Sequence, residues 1–94
     1  MAHTLCVSYD LPEDSDYSEV IDYLKQFKGW WHHLESTWFV VTSKSAAEVR
    51  DDLSDRLPNG GKVIVFAVSV GSRWATSGIP ERGATWLTKH FGSD

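Results

Sequence analysis

The chain has 94 residues, 41% of them hydrophobic and 23% charged, with a formal net charge of -4. That length makes one domain with a modest core, the composition excludes a disordered chain, and the acidic balance excludes a global cationic field that would gather a polyanion. A single cysteine, Cys6, excludes an internal disulfide, and no apolar run reaches the roughly 18 residues of a membrane span. The N-terminus "MAHTLCVSYD" enters a strand pattern at once and lacks the basic and long apolar regions of a secretory signal, so the sequence reads as cytoplasmic, with no membrane contact.

In chain order, the first element is "TLCVSY" (Thr4 to Tyr9), where Leu5, Val7 and Tyr9 alternate with Thr4, Cys6 and Ser8 as in a strand. "DLPEDSD" is a turn. "DYSE" (Asp16 to Glu19) has the form of a capping box ahead of Tyr17, Val20, Ile21, Leu24 and Phe27, spaced along one helical face, and Gly29 suits the helix stop. "WWHHLE" and "TWFVVT" read as the two strands of a hairpin turning near Glu35 and Ser36. "SAAE" (Ser45 to Glu48) offers a second capping box before Ala46, Val49, Leu53 and Leu57, and "PNGG" breaks the helix. "KVIVFAVSV" (Lys62 to Val70) is apolar nearly throughout, the signature of an inner strand covered on both faces. The remainder divides into a loop with Arg73 and Trp74 and a short helix from Glu81 to Phe91, whose Trp86, Leu87 and Phe91 predict docking onto the core.

The order β-α-β-β-α-β predicts an α+β, ferredoxin-like domain over residues 1–78 with a docked C-terminal extension over 79–94. In that frame, Leu5, Val7, Ile64, Phe66 and Val68 are expected to face the helices. The opposite face then carries Cys6, Val63, Val65, Ala67 and one of Trp38 or Phe39. Such a face is too apolar to stay wet, so the tail or a second protomer should cover it, and a homodimer is expected.

Candidate chemistry is sparse. As strand neighbours, His32 and His33 lie on opposite faces and do not share one ion without a bulge. The tryptophans suggest a stacking platform but lack interleaved cations, since only Lys28 precedes them and Lys44 is the next. Cys6 reads as a small buried residue. Asp10, directly after the first strand in "VSYDLP", is an acid placed at the rim of a sheet, or simply the opening of a turn.

The run strand-Tyr9-Asp10-Leu11, an amphipathic helix, Gly29, "LESTWFVVTS", "SAAEVRDDL" and "KVIVFAVSV" resembles the SinR-like family of small proteins. More distantly it resembles the small CRISPR-associated Cas endonuclease family, the second universal Cas protein, and its toxin relatives. The similarity spans roughly residues 3 to 70 and, for the SinR-like proteins, continues through "SRWATSGI". It implies a ferredoxin-like homodimer in which Asp10 and its symmetry mate hold Mg²⁺ or Mn²⁺ and activate water for phosphodiester hydrolysis, or a noncatalytic adaptor that holds nucleic acid or protein. Tyr9, Ser36, Trp38, Arg73 and Trp74 are the expected binding residues, with Ser8 and Glu35 as neighbours of Asp10. Two features depart from the Cas pattern: "WWHHLEST" stands in place of an arginine-rich strand, and the chain is acidic. Two functions therefore stand side by side, a binding or adaptor module and a metal-dependent endonuclease.

Overall fold

The computed structural model describes residues 2–92. Four strands, β1 (His3–Asp10), β2 (Gly29–Trp31), β3 (Thr37–Thr42) and β4 (Lys62–Val68), form one antiparallel sheet in the order β2-β3-β1-β4. Helix α1 (Ser18–Lys25) joins β1 to β2, α2 (Ala46–Ser54) joins β3 to β4, and α3 (Glu81–Phe91) follows the sheet. The fold is thus a small α+β domain in which each β-α-β connection steps over one intervening strand.

Local chemistry explains the helix starts. Ser45 accepts from the Glu48 backbone N–H at 3.1 Å while Glu48 accepts from the Ser45 N–H at 2.9 Å, so the second capping box forms as its sequence predicts. The first does not form. Asp16 instead accepts from the Ser18 backbone N–H at 2.9 Å, a bond that holds its carboxyl below the usual range, and α1 begins at Ser18 with no side-chain cap. At Pro58 to Gly61 the chain turns through a Gly61 N–H to Pro58 carbonyl bond of 2.9 Å, with Gly60 at φ 86°.

Strand register assigns the faces, because residues directly opposite one another share a face. Leu5 opposes Val40 and Ala67, and Val7 opposes Trp38 and Val65. These side chains meet Val20, Tyr23 and Leu24 of α1 and Val49 and Leu53 of α2 in the main core, where Trp38 is the largest fully buried side chain. The parity expected for β4 is therefore inverted: Val63 and Val65 pack toward α1 and α2, while Ile64 and Phe66 share the opposite face with Cys6 and Ser8. Nor is β4 an inner strand. It is an edge strand, with Ile64 58% and Phe66 47% exposed. A continuous apolar run does not reveal parity, because every register gives it an apolar face.

On the second face lies α3, with the bounds that the sequence predicts. Its Leu87 and Phe91 bury against Trp31, joined by Phe39, Val68, Trp74, Ile79 and Trp86. The helix reaches from β2 to the loop after β4. Its first turn meets β2, where the Trp31 indole N–H donates to the Gly83 carbonyl at 3.1 Å, and its last turn meets the loop after β4, where the Gly71 N–H donates to the Phe91 carbonyl at 3.0 Å. The expected docking of the extension is thus seen through residue 92, while Ser93 and Asp94 lie outside the described residues. The corner of the second face around Ser8, Ile64 and Phe66 has no helix over it.

Candidate functional site

Asp10 ends β1 directly opposite Lys62, the first residue of β4, and is exposed. By strand alternation it shares the second face with Cys6, Ser8, Ile64 and Phe66. The rim there forms a shallow depression of about 270 Å³ lined by Ser8, Tyr9, Asp10, Lys62, Val63 and Ile64. An acid and a cation thus stand side by side at the edge of an exposed apolar strand. Asp10 is the only acid in the lining, and no histidine joins it. Among the described residues, no group of three His, Cys, Asp or Glu side chains comes together to hold a metal ion.

The other expected site residues distribute over the molecule. Ser8 does neighbour Asp10, and its hydroxyl lies 3.3 Å from that of Thr37. Ser36 sits one position before β3 and accepts from the Tyr9 backbone N–H at 3.1 Å, so it extends the sheet. Tyr9 and Trp38 belong to the core on the α1/α2 face: the Trp38 indole N–H donates to the Tyr9 hydroxyl at 3.1 Å, and Trp38 has no exposed surface. Burial pushes the Tyr9 phenol up, and the charge of Glu35 adds to this. Glu35 lies in the connection from β2 to β3, is exposed, and is not part of the lining around Asp10. Arg73 is exposed in the loop after β4, while Trp74 is half-buried and donates from its indole N–H to the Gly92 carbonyl at 2.8 Å. Neither adjoins Asp10 in the rim lining.

The histidines are not strand residues, because β2 ends at Trp31 and 32–36 form its connection to β3. His32 stacks on Trp38 at 3.8 Å between ring centroids, with its Nε2 3.1 Å from the Glu35 carbonyl oxygen. His33 packs edge-on to Trp31 at 5.1 Å and against Gly83, where an added Cβ would stand 2.8 Å from its ring. Burial holds the His33 imidazole below its ordinary value, with smaller contributions from Arg82 and His32. Both rings are packing elements of the aromatic loop. Of the tryptophans, Trp31 and Trp38 are buried, and Trp30, 39% exposed, lies under the Lys25 ammonium at 5.8 Å. Among the described residues, the tryptophans of this stretch therefore do not form one exposed surface for stacking.

Cys6 is buried as expected, and burial pushes its thiol up, which keeps it protonated and unreactive. Sequence reasoning missed Lys62 as the neighbour of Asp10: the two are 52 positions apart, and only the β1/β4 register joins them. Among the described residues, no helix is long and apolar enough to cross a membrane. Comparison with protein-family models, curated proteins and solved structures gives no match for this chain.

Proposed function

We propose that this protein is a small ferredoxin-like, Cas-endonuclease-like module that works as a homodimeric binding or adaptor protein in the cytoplasm, without strong catalytic activity. The strand order β2-β3-β1-β4 with antiparallel neighbours supports the fold reading. The observation that carries the functional one is the uncovered corner. Ile64 and Phe66 stand exposed on the edge strand β4, which is paired on one side only, carries no proline, and has a single charge, Lys62, at its start, so little on it keeps edges apart. A second copy is the occupant that would cover such a surface, and a protein or nucleic-acid partner would then be held by the dimer. A single acid is a poor cation site, because Mg²⁺ and Mn²⁺ are held by several oxygen ligands and Asp10 is the only acid in the rim lining.

One observation favours the nuclease reading: Asp10 lies on the same face as Ile64 and Phe66, so a two-fold axis through this corner would bring two Asp10 carboxylates toward each other. Incubation of the purified protein with single- and double-stranded DNA and RNA in Mg²⁺ or Mn²⁺ separates the readings. The adaptor reading expects no cleavage above buffer. Cleavage that falls at least about a hundredfold in Asp10→Asn, with an unchanged melting temperature, would replace it with the metal-dependent endonuclease.

A further inference from the structure

Between α3, the second face of the sheet and residues 74–79 lies a cavity of about 270 Å³. Its walls are Trp31, Phe39, Trp74, Ile79, Leu87 and Phe91. Leu34, half-exposed, completes the apolar lining, and the Ala75–Ser77 stretch supplies the only polar side chains, the hydroxyls of Thr76 and Ser77. No ionisable side chain lines it. The two indole walls are fixed from outside the cavity, because Trp31 donates to Gly83 in the first turn of α3 and Trp74 donates to Gly92 at its end. Anchored at both ends of one helix, the two rings are held in place: Trp31, 3% exposed, closes the floor, and the half-buried Trp74 and Phe39 present ring surface to the space. The remaining wall is a short segment between Gly71 at φ 86° and Gly78 at φ 79°, conformations that suit glycine and let the chain turn at each end of the segment.

We propose that this cavity is a binding site for a neutral, flat aromatic molecule of one or two rings. Apolar walls with a few hydroxyls are the ordinary make-up of a small-molecule site, and the volume lies just below the range of drug-sized ligands, which sets the size class. Aromatic walls favour an aromatic guest through offset and edge-on ring contacts. The absence of a charged group in the lining selects a neutral one, since an ionised guest would be buried with no counter-charge. The site is separate from the Asp10 rim, so this proposal stands or falls independently of the adaptor reading.

Indole serves as the probe, followed by amide NMR on the full chain. The expected result is saturable shifts centred on Trp31, Phe39, residues 74–79, Leu87 and Phe91, with Kd below about 1 mM for so small a ligand. Indole-3-acetate, the anionic analogue, should bind at least about tenfold more weakly. Ala75→Phe, at an exposed position of the lining, should fill the space and lower indole affinity at least about tenfold while keeping the melting temperature. The wild-type titration alone can overturn the proposal: no saturation at millimolar indole, or shifts centred on Trp30 or Phe66, contradicts it. Equal affinity for the anion refutes the neutral class. If the cavity residues shift only with protein concentration, a second copy occupies the space and the ligand site is excluded.

Discussion

On one face of the sheet, α1 and α2 press Val20, Leu24, Val49 and Leu53 onto Leu5, Val7, Trp38 and Val40, each at most 1% exposed. On the other, α3 reaches from β2 to the loop after β4, uses aromatic rings as its contacts, borders a cavity and leaves Ile64 and Phe66 bare. The first face is closed by side chains whose spacing matches helix and strand periods, and they pack closely against one another. The second is closed by rings too large and too few to tile it, and whatever this protein binds is expected there. The lesson is that the bulk of a stretch such as "GWWHHLESTWFVV" says little about which face is functional. Of its three tryptophans, Trp38 is the most deeply buried, and its histidines serve as packing for Trp38 and Trp31.

The comparison breaks first if the packed face is not where stability resides. Trp38→Ala should cost about 3–5 kcal/mol, read as a lower urea midpoint, because it empties the centre of the core and orphans the Tyr9 hydroxyl. A loss under about 1 kcal/mol would show that the face is not close-packed. Leu87→Ala on the second face should cost about 2–3 kcal/mol and speed amide exchange in α3 while leaving α1 and α2 protected. Uniform acceleration across all three helices would mean that the two faces unfold as one unit. Ser45→Ala should remove about 1 kcal/mol through α2 alone, since it deletes the hydroxyl that accepts from the Glu48 N–H while the bond from the Ser45 N–H to the Glu48 carboxylate can remain.

The smallest expected effect is a pH dependence confined to the aromatic loop. His33 is packed as the neutral ring with its pKa lowered, so the stability it contributes is complete above the ordinary histidine value of about 6.5 and is lost as pH falls from there toward the lowered folded value. Arg82 and His32 act in the same direction. Acidification should therefore loosen the first turn of α3 before any other element, and His33→Phe should remove most of that change in amide exchange. An unchanged acid response in His33→Phe would assign it to His3, His32 or His90 instead.

Much of this was legible in the sequence, for reasons that particular residues make plain. The Ser45 capping box, the bounds of α3 and the alternation of β1 depend on local chemistry and period, which the chain states directly. The parity of β4 did not follow, because "KVIVFAV" offers apolar residues to both faces and only the pairing of Cys6 with Phe66 and of Val7 with Val65 decides between them. The early end of β2 at Trp31 was hidden because "WWHHLE" keeps a strand-like pattern while His32 and His33 leave the ladder to pack on Trp38 and Trp31. At the candidate site, Asp10 at the strand end could be read from the sequence. Lys62 beside it, the burial of Tyr9 and Trp38, and the cavity under α3 could not, since each is made by residues far apart in the chain.

The central claim, that the bare corner of the second face receives a second copy, is tested most directly by light scattering on the wild type and on Phe66→Asp at the same micromolar concentration. Phe66 is half-exposed on an edge strand, so placing a charge there should change the melting temperature of an isolated chain little. The account predicts a dimer for the wild type and a folded monomer for Phe66→Asp, with Trp38 still buried by fluorescence. A monomeric wild type, or a dimer that survives Phe66→Asp, would contradict it.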